Sequence, residues 1–248
     1  MIAFVTGATA GYGFAIARKY LQEGWSVVAA GRRVERIEPL RQEFGDKVLP
    51  LKLDVTSRED VQQAIASLPP AFKAVDVLVN NAGGAHGLEP AQRANLDDWD
   101  TMIDVNIRGL LYVTRALLPG MVERSKGHVV NIGSVAGEFP YPGGNAYGGV
   151  KAFTHQFSLN MRADLLGTQV RVTCVEPGLS GGTEFSEVRF KGDKEKAAAV
   201  YAGTEPMTAV DIAETVYWVS TRPAHVNVNT ISLMATCQAF SPFAIHRK

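Results

Sequence analysis

The sequence predicts an α/β fold in which one seven-stranded parallel sheet is covered by helices on both faces. Two patterns support this prediction. Short apolar runs alternate with helical segments along the whole chain, which is the order expected of parallel strands joined by crossover helices. The first apolar run leads directly into a glycine-rich turn and a helix, a typical start of a doubly wound sheet. We therefore expect a single doubly wound, Rossmann-like domain over residues 1–248.

Composition limits the partners that this protein can have. Lys+Arg and Asp+Glu both number 25 in the 248 residues, so the formal net charge is zero. A neutral chain has no general attraction for nucleic acid or for an anionic membrane surface, and no stretch approaches the roughly 20 apolar residues of a membrane span. The expected partners are small molecules and copies of the chain itself. The expected location is the cytoplasm, where Cys174 and Cys237 would remain free thiols.

The first strand is expected at residues 2–6, and a helix at residues 14–23. The turn between them consists of Gly7, Ala8, Thr9, Ala10, Gly11, Tyr12 and Gly13. Glycines let the backbone turn tightly and approach a pyrophosphate, which the N–H groups of the helix N-terminus then bind. The turn, apart from Ala8, is therefore a candidate cofactor site. An ordinary strand-to-helix turn is the alternative, because a glycine cluster alone is a weak signal.

The second strand, expected at residues 25–30, ends in a basic turn that bears on the choice of cofactor. In dinucleotide-binding sheets the adenosine ribose is bound at this position, usually by an acidic residue when the cofactor is NAD. The residues here are Arg32 and Arg33, whose guanidinium groups can pair with a 2′-phosphate. NADP(H) is thus the predicted cofactor. The alternative is a solvated basic turn before the charged helix expected at residues 34–44.

The third strand, expected at residues 48–53, ends in Asp54 and Val55. Their carboxylate and backbone groups are candidates for contacts with the adenine of the cofactor. A turn or capping aspartate is the alternative for Asp54. A helix is expected over residues 58–68.

The fourth strand, expected at residues 75–79, leads into a loop of small residues. This loop contains Asn81, Ala82 and Gly83. Open α/β sheets bind ligands at the carboxyl ends of their strands, so these three residues are further candidates for cofactor binding.

A helical pattern follows over residues 97–118, and Pro119 is expected to end it. Asn106 lies inside this pattern. An asparagine within a helix competes for the backbone hydrogen bonds. We therefore expect either a local distortion or a water-linked relay at Asn106.

A tyrosine and a lysine four residues apart carry the chemistry that this sequence predicts. Tyr147 and Lys151 would lie on one face of the helix expected at residues 147–166, and Ser134 follows the strand expected at residues 128–132. A free phenol has a pKa of about 10, which a nearby ammonium lowers. Tyr147 would then act as a general acid or base. The alternative is an exposed pair that has helical spacing by coincidence.

Residues 179–203 are expected to form a substrate lid. This segment follows a sixth strand at residues 170–175, departs from the periodic pattern and is rich in glycine and charge, as mobile active-site loops often are. Arg189 is predicted to bind an acid group of the substrate, with backbone groups near Gly182 as further donors. A solvated arginine is the alternative. A helix at residues 208–220, capped by Thr208, and a strand at residues 227–233 complete the prediction.

Taken together, these motifs resemble the short-chain dehydrogenase/reductase family. They are Thr6-Gly7-x3-Gly11-x-Gly13, Asn80-Asn81-Ala82-Gly83, Asn106, Ser134, Tyr147-x3-Lys151 and Pro177-Gly178, in one order across the chain. Within that family, the runs MVERSKGHVVNIGS, EPGLSGGTEFSEVRFKGD and WVSTRPAHVNVNT are similar to NADP-dependent 3-hydroxy acid dehydrogenases. Those enzymes act on L-allo-threonine, serine and 3-hydroxy acids, such as 3-hydroxypropionate and 3-hydroxyisobutyrate, and reduce the corresponding semialdehydes.

The resemblance implies a role for each matching residue. Tyr147 would be the proton donor and acceptor, Ser134 would bind the substrate oxygen, and Lys151 would hold the nicotinamide ribose and lower the pKa of Tyr147. Asn106 would anchor a water chain to Lys151. The family also implies a homotetramer. The implied cofactor contacts further include Tyr147, Lys151, Pro177, Gly178 and Thr183, and the implied substrate contacts are Ser134, Tyr147, Gly182 and Arg189.

Two alternative functions stay open. The cationic lid would also suit a sulfonate, so a sulfoacetaldehyde reductase with the same mechanism is one of them. The other is a dinucleotide-binding regulator without catalysis, since fold does not fix function. No metal site is expected, because the five histidines, His86, His128, His155, His225 and His246, lack the spacing of metal ligands.

Overall fold

A computed structural model describes residues 1–240 and has the predicted architecture. Within these residues, seven parallel strands form one sheet in the order β3-β2-β1-β4-β5-β6-β7. The strands are β1 (Ile2–Thr6), β2 (Ser26–Gly31), β3 (Val48–Lys52), β4 (Val77–Asn80), β5 (Gly127–Ile132), β6 (Val170–Pro177) and β7 (Thr230–Leu233). The chain order reverses between β1 and β4, which creates the switch point where doubly wound sheets bind ligands. The predicted α/β fold is confirmed.

Helices cover both faces of the sheet. Within residues 1–240 they are α1 (Gly11–Gln22), α2 (Glu38–Phe44), α3 (Arg58–Ala66), α4 (Pro70–Lys73), α5 (Leu96–Ile103), α6 (Leu110–Glu123), α7 (Asn145–Asp164), α8 (Phe185–Arg189), α9 (Lys194–Ala199) and α10 (Ala209–Ser220). A π-helical segment, Asp104–Gly109, joins α5 to α6. Within this part of the chain, no helix has both the length and the apolar character needed to cross a membrane.

The hydrophobic core consists of two layers, one on each side of the sheet. Neighbouring strand residues point to opposite faces, and in β1 Phe4 and Val5 are both fully buried, each in a different layer. Helices α1 and α10 cover the layer that contains Val5, where Tyr20 donates a hydrogen bond of 2.7 Å to the hydroxyl of Ser220. Helices α3, α6 and α7 cover the opposite layer. The strands are therefore buried on both faces, as their almost continuous apolar sequences predicted.

Several predicted boundaries are wrong by a few residues, among them the end of α6 and the start of β7. Helix α6 continues through Pro119 to Glu123: the proline lacks one backbone N–H, and the helix beyond it still closes with Arg124 N–H on the Gly120 carbonyl. Strand β7 begins three residues later than predicted. The side chain of Asn227 takes the place of the strand backbone there: it accepts from the Val172 N–H at 2.8 Å and donates to its carbonyl at 2.9 Å.

His128 is a buried histidine at the start of β5 whose charge state bears on stability. Its Nε2 lies 2.8 Å from the hydroxyl of Thr173, which donates to the Val228 carbonyl at 2.6 Å. The hydroxyl therefore accepts a hydrogen bond from neutral His128. Burial, supported by the positive charge of Arg171, lowers the pKa of His128 to about 3. An unfolded histidine has a pKa of about 6.5. Between these values the unfolded chain binds the additional proton, so stability falls as the pH falls.

We predict that His128→Gln makes the free energy of unfolding less dependent on pH between about 6.5 and 3. The unchanged protein should lose up to about 1.4 kcal/mol more per pH unit than the variant, because one proton per chain is taken up on unfolding. Urea denaturation at several pH values in this window measures the two slopes. His225→Gln, which changes an exposed histidine, is the matched control. Equal slopes for the unchanged protein and His128→Gln would contradict the prediction.

Candidate active site

The candidate site lies where β1, β4 and β5 end at one edge of the sheet. Thr6, the last residue of β1, ties these ends together: its hydroxyl accepts from the N–H groups of Asn81 and Ala82, both at 2.9 Å. Asn81 returns a hydrogen bond of 2.9 Å from its side-chain amide to the Thr6 carbonyl. The side chain of Asn81 therefore fixes the backbone at the start of the glycine-rich turn.

The glycine-rich turn has the geometry expected of an anion cradle. Gly7 and Gly11 have φ values of 65° and 52°, in the left-handed region that favours glycine, and a Cβ atom on Gly13 would collide with the Gly7 carbonyl. Helix α1 begins at Gly11, three residues earlier than predicted. Its N-cap, Ala10, makes no side-chain capping bond, and its first turn contains no acidic residue. The backbone N–H groups in the first turn of α1 therefore remain available to a phosphate.

Thr9 and Tyr12 border the turn on two sides. Thr9 packs closely against β2, since a Cβ atom on Gly31 would lie 2.7 Å from its methyl carbon. The half-buried Tyr12 has its hydroxyl near Ser180 at the start of the lid segment. The turn thus contacts both the basic end of β2 and the lid.

A buried polar network supports this edge from below. The side-chain amide of Asn80 donates to the Thr114 hydroxyl at 2.8 Å and to the Asn131 side-chain oxygen at 2.9 Å. Asn131 donates in turn to Ser158 on α7 at 2.8 Å. The network joins β4, β5, α6 and α7. Sequence reasoning noted Asn80 in the loop but missed Asn131, Thr114 and Ser158, which show no pattern along the chain.

Asn106 causes a distortion of the helix, as predicted. It lies in the π-helical segment, is 3% exposed, and donates to the carbonyls of Met102 and Gly84 at 2.9 and 3.0 Å. A Cβ atom on Gly83 would lie 2.5 Å from the Asn106 side-chain oxygen and 3.6 Å from the Lys151 ammonium. Gly83 therefore allows Asn106 to approach the lysine across the loop.

Ser134 and Tyr147 form the centre of the candidate site. The Ser134 hydroxyl accepts from the Ala136 N–H at 3.1 Å and donates to the Pro177 carbonyl at 3.3 Å. Tyr147, which is 8% exposed, lies beside Ser134, and the two hydroxyls interact. Helix α7 begins at Asn145, two residues earlier than predicted.

Burial raises the pKa of Tyr147, and this outweighs the neighbouring Ser134 hydroxyl and the positive charge of Arg189, which both lower it. The prediction that Lys151 lowers the pKa of Tyr147 is therefore wrong for the chain alone, without a bound cofactor. The physical reason is geometric. The Lys151 ammonium lies 5.8 Å from the centre of the Tyr147 ring and donates to the Ile132 carbonyl at 2.9 Å, so it is oriented toward the strand end.

Lys151 itself is a buried cation. Its side chain is 7% exposed, and burial lowers its pKa to about 8. The predicted proximity of Tyr147 and Lys151 is present, with both groups on the inner face of α7. Gly148, one residue after Tyr147, permits a close approach, because a Cβ atom there would lie 3.0 Å from the Ala136 carbonyl oxygen.

The predicted 2′-phosphate arginines lie beside the lid. Arg33 pairs with Glu184 of the lid at 2.6 Å, and Arg36 pairs with the other oxygen of the same carboxylate. Arg33 would therefore have to share or exchange this partner to bind a phosphate. Asp54 is engaged locally: burial acts to raise its pKa, but hydrogen bonds from the Thr56 N–H at 3.0 Å and hydroxyl at 2.8 Å lower it.

The lid bends over the site and is fastened at its substrate side. Arg189 donates from Nε to the Gly87 carbonyl at 3.0 Å and from Nη2 to the Tyr141 hydroxyl at 2.9 Å. Its guanidinium carbon lies 5.7 Å from the centre of the Tyr147 ring. Lys191 adds an ion pair with Asp98 at 2.9 Å. The lid, predicted as one segment at residues 179–203, contains helices α8 and α9. Among the described residues of the lid, Arg189 is the one cation beside Tyr147.

The remaining predicted residues border the same cleft. A Cβ atom on Gly11 would lie 3.3 Å from Thr183, which places the lid against the glycine-rich turn. Gly182 has a φ of 69°. Pro177 ends β6, and the Gly178 N–H donates to the Leu233 carbonyl at 2.7 Å. Val55 packs under the π-helical segment, in contact distance of Gly109. The geometry thus combines a phosphate cradle, a hydroxyl pair and a cation around one cleft.

Comparisons with known proteins agree with this geometry. A family model described as short chain dehydrogenase matches residues 1–194. The NADP-dependent 3-hydroxy acid dehydrogenase YdfG of Salmonella typhi is 58% identical over 247 residues and all of both chains. Serine 3-dehydrogenase of Agrobacterium fabrum is 48% identical over 244 residues, covering 98% of this chain and 97% of that one.

Solved structures give the same result. The closed form of a serine dehydrogenase complexed with NADP+ superposes with a TM-score of 0.99 at 55% identity and covers all of both chains. Serine dehydrogenase from Escherichia coli has a TM-score of 0.86 at 51% identity, covering 97% of this chain and 100% of that one. The predicted family, and an NADP-dependent dehydrogenase as its type of enzyme, are confirmed by these relatives. The chain therefore belongs to the short-chain dehydrogenase family.

Proposed function

We propose that this protein is an NADP-dependent dehydrogenase that interconverts a small 3-hydroxy acid, such as serine, and its keto or semialdehyde form. The observation that carries the proposal is the placement of the Tyr147 and Ser134 hydroxyls next to each other and beside the buried Lys151. The relatives named above act as 3-hydroxy acid or serine dehydrogenases, which supports the choice of substrate class. The cytoplasm is the proposed location.

The residues of the cleft fit NADP(H). The uncapped first turn of α1 and the close-packed glycines suit the pyrophosphate. Arg32 and Arg33 suit the 2′-phosphate, and Lys151 and Asn81 would lie beside the nicotinamide end. When bound, the nicotinamide supplies or accepts the hydride.

Tyr147 handles the proton of the reaction. Reduction places negative charge on the substrate oxygen, and a donor must neutralise it as it forms. Because burial keeps the pKa of Tyr147 above its ordinary value, the phenol is protonated at neutral pH and ready to donate. Ser134 gives the same oxygen a second hydrogen bond. For the reverse reaction, the nearby positive charge of Arg189 favours the phenolate that accepts the proton.

Arg189 is the proposed contact for the acid group of the substrate. It is the lid cation beside the Tyr147 ring, and its guanidinium is held in place by Gly87 and Tyr141. Backbone groups at Gly182 would add donors. A sulfonate would fit the same cation, so a sulfoacetaldehyde reductase is the second candidate, and a panel of semialdehydes with NADPH distinguishes the two.

We also propose that the protein forms a homotetramer. Apolar side chains are exposed on the segments that flank the site, with Leu96 67%, Leu166 79% and Trp218 46% exposed. Phe153 and Phe157, one turn apart on the same face of α7, stack with ring centres 5.7 Å apart. Exposed apolar surface of this kind is typical of self-association, and light scattering measures the mass.

Tyr147→Phe should lower kcat for oxidation of serine with NADP+ by about 10²- to 10⁴-fold, because the substrate oxygen loses its proton donor and acceptor. NADPH binding should remain, which shows that the cleft is intact. Tyr217→Phe, at a half-buried tyrosine of α10 in the core layer on the other face of the sheet, is the matched control and should keep most of the activity. Steady-state kinetics and a fluorescence titration with NADPH give both quantities. Full activity of Tyr147→Phe would disprove catalysis by this phenol and revive the regulator without catalysis.

Arg189→Ala should raise KM for a 3-hydroxy acid by about 10- to 100-fold, the size expected for a lost charge-assisted hydrogen bond. KM for an uncharged alcohol should change much less, because that substrate has no acid group to bind. The control is Lys196→Ala, which removes an exposed lid cation. A rise of the same size for both substrates would show that Arg189 only maintains the lid.

Glu184→Gln should tighten NADPH binding about two- to five-fold, since Arg33 and Arg36 lose a competing carboxylate at an exposed pair. Binding of NADH, which lacks the 2′-phosphate, should not change. Isothermal titration with each cofactor makes the comparison, and Glu187→Gln changes an exposed carboxylate of the same helix as a control. If both cofactors respond equally, Glu184 acts on the lid and not on the phosphate arginines.

A further inference from the structure

A cluster of three potential metal ligands lies behind the candidate active site. Cys174 and Glu176 alternate along β6 and therefore point to the same face of the sheet, and His155 faces them from α7. His155 Nδ1 lies 2.6 Å from Glu176 Oε1, and Cys174 Sγ lies 3.7 Å from the same oxygen. All three potential ligand atoms lie within 4.8 Å of one another.

We propose that His155, Cys174 and Glu176 bind one zinc-type divalent cation, and that this ion slows turnover. The proposal goes beyond the dehydrogenase activity, and its binding test does not depend on that activity. The site is empty in the structure.

The donor set selects the class of cation. One thiolate, one imidazole and one carboxylate are ligands that zinc binds in tetrahedral sites, at about 2.3 Å for sulfur and about 2.0 to 2.1 Å for nitrogen and oxygen. Thiolate and imidazole together favour zinc, cadmium or cobalt over magnesium or calcium. Three protein ligands leave a fourth position for water.

The geometry needs one small adjustment. In a tetrahedral site, neighbouring ligand atoms lie about 3.3 to 3.6 Å apart. The separation of Cys174 Sγ and Glu176 Oε1 already approaches this range. His155 Nδ1 must move away from Glu176 by about 0.7 Å to satisfy the same geometry, and it has room to do so because its side chain is 36% exposed.

Hydrogen bonds from His155 and Cys174 to Glu176 occupy the space in which the cation would bind. The imidazole and the thiol both direct hydrogen bonds at a single carboxylate oxygen, on a glutamate that is 3% exposed. A cation placed among the three groups would replace both contacts and compensate the buried carboxylate. The metal needs the thiolate, so binding releases the thiol proton of Cys174, and an imidazole of His155 that binds through Nδ1 carries its proton on Nε2.

The position of the cluster explains an effect on turnover. A Cβ atom on Gly133 would lie 2.8 Å from Cys174 Sγ and 3.0 Å from Glu176 Cγ, so the cluster packs directly against the residue before Ser134. Glu176 also precedes Pro177, whose carbonyl accepts the Ser134 hydroxyl. An ion that changes the spacing between Glu176 and α7 would therefore shift the Ser134 hydroxyl beside Tyr147.

The test uses the purified, metal-free full chain and titrates Co²⁺, Cd²⁺ and Zn²⁺. We expect one ion per chain, a sulfur-to-metal charge-transfer band with Co²⁺ and Cd²⁺, and release of about one proton per ion. Cys174→Ser should abolish the band, and His155→Ala should weaken binding at least ten-fold. Two controls change similar groups elsewhere: Cys237→Ser, at the exposed thiol, and His86→Ala should bind as the unchanged protein does. Circular dichroism and NADPH binding show whether each variant is folded.

The outcomes decide each half of the proposal. A missing band, a band lost in Cys237→Ser, or full affinity in His155→Ala would overturn the site. Because His155 is partly exposed, that variant keeps the test valid even if Cys174→Ser does not fold. The second half predicts that Zn²⁺ slows turnover in the unchanged protein and in Cys237→Ser, but not in His155→Ala. Binding with unchanged turnover would overturn inhibition alone.

Discussion

The structure of the site depends on one buried cation, the ammonium of Lys151. Its side chain is 7% exposed and donates to the Ile132 carbonyl at 2.9 Å. A buried charge is unfavourable unless polar groups surround it, so the fold must bring polar atoms to this point. The end of β5 supplies the carbonyl, and Asn106 reaches the opposite side across Gly83. The same burial lowers the pKa of the lysine to about 8.

Close backbone approaches make this arrangement possible. A Cβ atom on Gly137 would lie 2.7 Å from the carbonyl carbon of Lys151, so the turn after Ser134 packs directly on α7. The π-helical segment directs Asn106 toward the loop after β4. Below them, the network from Asn80 to Ser158 anchors the strands to α7 through side chains that are buried away from solvent. The site therefore depends on these backbone contacts and on this buried network, which set the positions of its side chains.

Sequence reasoning was sufficient for the fold and for the residues whose spacing reflects chemistry, such as the glycine-rich turn and the Tyr147–Lys151 pair. It also predicted a distortion at Asn106, because an asparagine within a helix is a local conflict. Contacts between distant segments were beyond it. The pairing of Arg33 with Glu184 and the cluster around Glu176 follow from contacts between distant segments. The rise in the pKa of Tyr147 follows from burial, and no local pattern encodes either.

The most direct test of this account is the pKa of Lys151 in the protein without ligands. Nuclear magnetic resonance of the protein labelled at the lysine side-chain carbons follows each ammonium during a pH titration, and Lys151→Arg identifies the signal. The account predicts a pKa of about 8. A value near 10.4, that of a solvated lysine, would show that Lys151 is not held in the dry environment on which the site depends.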